Sequence, residues 1–106
     1  MKINITARHF RAKDSLQKYA NEKLGELEKY NENILHSEVI YSYDKPPLNI
    51  KYCEIIIKLR DKLITCKEGT DDFVTATDKA LEKIEIQLYK YKDKIKSKRH
   101  TKPKEN

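Results

Sequence analysis

Between Lys2 and Ala7 apolar and polar residues alternate, with Ile3, Ile5 and Ala7 to one side and Lys2, Asn4 and Thr6 to the other. A period of two marks a half-buried strand. From Lys13 the spacing changes to three and four. Leu16, Tyr19, Ala20, Leu24, Leu27 and Tyr30 share one stripe, which predicts an amphipathic helix ending near Tyr30, where Asn31-Glu32-Asn33 supplies turn chemistry. Asp14 stands where an N-cap is expected and Gln17 follows three residues on, close to a capping box.

Alternation returns from His36 to Tyr43, with Val39, Tyr41 and Tyr43 on one face of a second strand. Two consecutive prolines cannot sit in a ladder, so Asp44 to Asn49 reads as a loop. Lys51 to Arg60 sets Cys53, Ile55, Ile57 and Leu59 inward and Tyr52, Glu54, Ile56 and Lys58 outward. A tight turn at Asp61-Lys62, pairing Arg60 with Leu63, would send Ile64 and Cys66 to the core. Gly69 and Asp71-Asp72 are expected to close that strand and open a second helix, with acids in its first turn where the dipole favours them. The order β-α-β-β-β-α predicts an α+β two-layer sandwich. Its first two strands are parallel, its last three form a meander, and both helices lie on one face of a mixed four-stranded sheet.

The second helix is unusual in how its charges are arranged. At about 100° per residue, Phe73, Thr77, Ala80, Leu81, Ile84, Leu88, Tyr91 and Ile95 form the core stripe. Lys79, Lys83, Gln87, Lys90 and Lys94 form a second stripe, about 120° around from the first. Asp78, Glu82, Glu85 and Asp93 share the remaining face with Lys92 and Lys96. Like charges four apart repel, and interleaved signs would serve solubility better. From Lys96 the chain has no apolar periodicity, and Lys98 and Arg99 continue the positive flank. The expected division is a folded domain over 1–96 and a basic, disordered tail over 97–106.

Composition narrows the function classes. The chain of 106 residues supports one domain, and its formal net charge of +6 suggests an anionic partner such as a nucleic-acid backbone. Cys53 and Cys66 form no CxxC pair and read as buried, reduced thiols. His9, His36 and His100 lack metal-ligand spacing. The start of the chain has no signal-peptide apolar region and no run reaches the length of a membrane span, so a soluble, cytoplasmic protein is expected. There is no nucleophile–base pairing and no glycine-rich phosphate loop, which argues against an enzyme.

"ITARHF", "YANEKLGELEKY" and above all "EGTDDFVTATDKALEKIEIQLYKYKDKIK" resemble the ribosome hibernation-promoting factor family, which includes the ribosome-associated inhibitor. The resemblance covers residues 1 to about 96 and implies a fold like the double-stranded-RNA-binding domain. It also implies docking on the small (30S) subunit of the 70S ribosome, through 16S ribosomal RNA, where messenger RNA and the A- and P-site transfer RNAs pass. Translation then stops, and the particle is preserved in starvation or stationary phase. Family members are not enzymes and need no cofactor, small-molecule substrate or membrane. Carried over by motif, the RNA contacts fall on Lys79, Lys83, Gln87, Lys90, Lys92 and Lys94, with Lys23 and Lys29 from the first helix. Arg8, His9 and Tyr89 are further candidates; His9 could equally cap a neighbouring helix, and Tyr89 could stack on a base or sugar. Relatives often carry arginine where Ile86 and Tyr89 stand here. Long members add a C-terminal dimerisation domain, so this chain is expected to correspond to the short form. The competing reading is a protein-binding module that works through its open sheet edge or acidic helix face.

Overall fold

The computed structural model describes residues 2–99, with side chains through Lys94. The elements are β1 (Lys2–Ala7), α1 (Asp14–Lys29), β2 (Ile34–Tyr43), β3 (Lys51–Leu59), β4 (Leu63–Thr70) and α2 (Phe73–Arg99). The sheet order is β1-β2-β3-β4. β1 runs parallel to β2, from Lys2 opposite His36 to Ala7 opposite Tyr41, and the other two pairings are antiparallel. This is the expected α+β sandwich. α1 packs over β1 and β2, α2 packs over β3 and β4, and among the described residues no helix lies on the other face of the sheet.

The alternation of β2 and β3 explains why these strands are central. Val39, Tyr41, Cys53, Ile55, Ile57 and Leu59 are all fully buried, and they meet Ala20 and Leu24 of α1 and Ala76, Ala80 and Ile84 of α2. Small residues at Ala20, Ala76 and Ala80 let the helices approach the sheet closely.

Several local expectations are corrected. The N-cap of α1 is Lys13, without a side-chain cap; Asp14 is the first helical residue, and Gln17 instead donates Nε2–H to the Ala12 carbonyl at 2.9 Å. Tyr30 lies beyond the end of α1 and is 70 % exposed, so it is not core. Tyr43 is 42 % exposed, packing one edge on Phe10. The β3–β4 turn is wider than expected. Lys58 faces Leu63, and the Leu59 N–H donates to the Lys62 carbonyl at 2.9 Å. That slip of two residues preserves face parity, so Ile64 still points inward. Cys66 is only half-buried, because β4 is an edge strand. Gly69 lies inside β4, and α2 is opened by Asp72 as N-cap rather than by acids in its first turn. The Thr75 N–H and hydroxyl donate to Asp72 Oδ2 at 2.9 and 2.7 Å, holding that carboxyl below the usual range.

α2 runs to Arg99, so the expected boundary after residue 96 falls within the helix. Lys96-Ser97-Lys98-Arg99 contains no glycine or proline, and cations in a last turn suit the helix dipole. The rest of the expected basic tail, 100–106, and the Ile95 side chain lie outside the described residues.

Candidate nucleic-acid interface

Helix α2 turns its inner stripe to the sheet, and this fixes where its two charged flanks point. Thr77, Ala80, Leu81, Ile84 and Leu88 are buried, and Tyr91 is half-buried with its hydroxyl donating to Asp61 Oδ1 at 2.9 Å. One flank then overhangs β4. Lys79, Lys83, Gln87, Lys90 and Lys94 are exposed along it, in a row about 1.5 Å of rise per residue.

Lys83 is the anchor of that row. Its Nζ lies 2.6 Å from Glu68 Oε2 on β4, and among the described residues it is the lysine of the row that has an ion-pair partner. The hydrogen bond from Lys83 lowers the Glu68 carboxyl pKa and raises that of the Lys83 ammonium; Lys79 lowers Glu68 further. With the Lys83 side chain 58 % exposed, solvent screens the bridge, so it orients the side chain more than it stabilises the fold. Lys79, Lys90 and Lys94 project beside it.

The other sequence candidates divide between different places. Arg8 and His9 are exposed just after β1, and the Arg8 N–H still donates to the Tyr41 carbonyl at 2.9 Å. His9 is left-handed, with φ 67°, and the next residue, Phe10, stacks on Phe73 with centroids 5.2 Å apart. These two residues therefore stand at the N-terminal end of α2, while Lys90 and Lys94 stand several turns away. Lys98 and Arg99 are on the last turn of α2.

Lys23, Tyr89 and Lys92 face away from the lysine row and line a groove between α1 and α2. Lys92 Nζ donates to the Tyr30 carbonyl at 3.2 Å, Lys23 Nζ sits 5.6 Å from the Tyr19 ring centroid, and Lys29 Nζ sits 5.8 Å from the Tyr30 ring. The Tyr19 hydroxyl donates to Asp78 Oδ1, and mainly through that bond its pKa is pushed up to about 12. Sequence periodicity had placed Lys92 with the acids, and its side chain follows that placement. Tyr52, on the outward face of β3, is held in place: its hydroxyl donates to Asp44 Oδ2 at 2.8 Å and Lys67 Nζ lies 4.8 Å from its ring centroid. Among the described residues no group of His, Cys, Asp and Glu is arranged to hold a metal, and no helix is long and apolar enough to cross a membrane.

Sequence reasoning missed the supports beneath these surfaces. Glu28 of α1 is buried and accepts a hydrogen bond from the Ser37 hydroxyl at 3.0 Å, which ties α1 to β2. The only sequence signal was a short connection between the two residues. Ala76, buried beside the core stripe, was also missed; a helix packed this closely buries more than its central line.

A family model described as Sigma 54 modulation protein / S30EA ribosomal protein matches residues 3–96. Among curated proteins, the ribosome hibernation promoting factor of Azotobacter vinelandii is 27% identical over 94 residues, 89% of this chain and 85% of that protein. The protein of the same name from Pseudomonas putida is 26% identical over 97 residues, 92% of each. Among solved structures, a ribosomal subunit interface protein from Coxiella burnetii superposes with a TM-score of 0.79 at 24% identity, covering 88% of this chain and 99% of that one. The N-terminal domain of Protein Y from Thermus thermophilus gives 0.73 at 25% identity, covering 86% and 99%.

Proposed function

The chain belongs to the Sigma 54 modulation protein / S30EA ribosomal protein family, and from that membership we propose that it is a ribosome hibernation factor of the cytoplasm. It docks on the small subunit, against 16S ribosomal RNA of the decoding region, and occupies ground that messenger RNA and the A- and P-site transfer RNAs need. Translation halts and the particle is preserved in starvation. Such an action requires phosphate contacts and occlusion, with no bond made or broken.

The observation that carries the reading is the exposed lysine row of α2. Lys79, Lys90 and Lys94 stand free of ion pairs among the described residues, on a helix whose core stripe is buried against the sheet. Cations aligned along one flank of a rod suit a track of phosphates, and each neutralised phosphate releases counterions. Arg8 and His9 at the far end of α2 would extend the footprint, as would Lys98 and Arg99 in its last turn.

The test is co-sedimentation with purified ribosomes on a low-salt sucrose gradient. The parent chain is expected with the ribosome peak. Lys79→Glu with Lys90→Glu is expected at the top of the gradient, with a melting temperature close to that of the parent. Lys83 is left intact, because an acid there would face Glu68 and perturb stability as well as binding. A parent chain that stays at the top, or a double variant that still sediments with ribosomes, would sink the reading.

A further inference from the structure

The two flanks of α2 carry opposite signs. Away from the lysine row, the groove between α1 and α2 is lined by four acids, Glu26, Asp78, Glu82 and Glu85, against two bases, Lys23 and Lys92. Four minus two leaves this lining at −2, in a chain whose formal net charge is +6. Both bases are already engaged, Lys92 on the Tyr30 carbonyl and Lys23 over the Tyr19 ring. Glu26, Glu82 and Glu85 are exposed and have no ion-pair partner among the described residues. At the rim stand the two most exposed aromatic side chains, Tyr89 at 73 % and Tyr30 at 70 %. Aromatic faces attract cations, above all the flat guanidinium of arginine.

We propose that this groove docks an extended polypeptide segment rich in arginine and lysine. Its carboxylates meet the segment's charges, and Tyr89 takes a guanidinium group on its face, while the Tyr30 ring already carries Lys29. A nucleic-acid strand is disfavoured here, because its phosphates would approach a negative lining. The molecule therefore carries two surfaces of opposite preference on one helix, a positive row for phosphates and a negative groove for basic protein. The proposal goes beyond ribosome binding and does not depend on it.

The test uses the full chain, isotope-labelled for amide NMR at near-physiological salt, titrated with a short synthetic peptide of alternating arginine and glycine. Shifts are expected at Glu26, Glu82, Glu85 and Tyr89, and Glu82→Lys with Glu85→Lys is expected to weaken binding roughly tenfold or more. Glu38→Lys with Glu54→Lys makes the same change of net charge on the uncovered face of the sheet, and should leave the affinity near that of the parent. Should the lysine pair disturb folding, Glu82→Gln with Glu85→Gln asks the same question and is expected to weaken binding less strongly. Equal losses in the groove and control variants, or shifts centred elsewhere, overturn the proposal. So does a single-stranded RNA that shifts the same amides, or concentration-dependent shifts of the protein alone, which would assign the groove to a second copy. Ribosome co-sedimentation of the groove variants is read separately, so loss of ribosome binding and loss of peptide binding stay distinguishable.

Discussion

The Thr77 hydroxyl carries one proton, and that proton goes to the Phe73 carbonyl at 2.7 Å. At the 2.7 Å contact between Thr77 and Tyr41 the tyrosine must therefore be the donor. Both side chains are fully buried, and burial raises the Tyr41 hydroxyl far above the ordinary tyrosine range. The neighbouring Cys53 thiol is pushed up to about 11, again chiefly by burial. This arrangement ranks two substitutions. Tyr41→Phe removes a hydroxyl and leaves Thr77 still donating to Phe73, a loss of about 1 kcal/mol. Thr77→Val leaves the Tyr41 hydroxyl without its oxygen acceptor in a dry core, costing about 1–3 kcal/mol. Urea unfolding should show the threonine variant as the less stable, with the slope unchanged. The double variant should cost less than the sum of the two. Equal single effects that add would show that the hydroxyls do not interact. Both residues were legible in the sequence as core positions, Tyr41 from alternation and Thr77 from the helical stripe. Their bond was not, because it joins residues 36 apart in the chain.

At the scale of elements, the strands and helices could be read because each keeps one period along its length. The failures lie at their ends, where one side chain decides the outcome. Gly69 looked like punctuation, yet it sits within β4 directly opposite Tyr52. The Tyr52 ring lies over it: a Cβ added at Gly69 would meet Cε1 of that ring at 2.7 Å and Cγ2 of Ile50 at 2.9 Å. The ring cannot easily yield, since its hydroxyl is held by Asp44. An aromatic ring packed across a strand glycine restores the cover that the glycine lacks. Gly69→Ala is expected to destabilise the fold by about 1–3 kcal/mol, as overpacking does. Pairing it with Tyr52→Ala should recover part of the loss, measured by thermal or denaturant unfolding. A stable Gly69→Ala protein would mean that the ring moves aside at little cost. Similarly, Asp14 failed as an N-cap because the chain enters α1 one residue earlier, with Lys13 extended. The cap at Asp72 was missed because Asp71 and Asp72 both read as first-turn acids, whereas α2 starts only at Phe73.

For the whole molecule, net charge is a poor guide, because +6 is the sum of surfaces that oppose each other. The sorted signs on α2 were legible from angle alone. The sequence could not tell which flank meets β4 and which meets α1; the Lys83–Glu68 bridge and the Tyr19–Asp78 bond settle that. The same facts divide the sequence candidates, because Lys23, Tyr89 and Lys92 belong to the groove and not to the row. This division has a measurable consequence for salt dependence. If the row neutralises phosphates, ribosome affinity falls linearly on a logarithmic salt scale, with a slope near minus one for each phosphate contact. Lys79→Gln, Lys90→Gln and Lys94→Gln should then each reduce the steepness by about one. Lys92→Gln, whose ammonium is held by the Tyr30 carbonyl, should leave the slope almost unchanged. Lys83→Gln should fall between, because its charge is shared with Glu68. A ranking of slopes that follows position around the helix requires an oriented interface. Equal effects at all five lysines would instead mean diffuse attraction by net charge, with no particular face of α2 turned to the RNA.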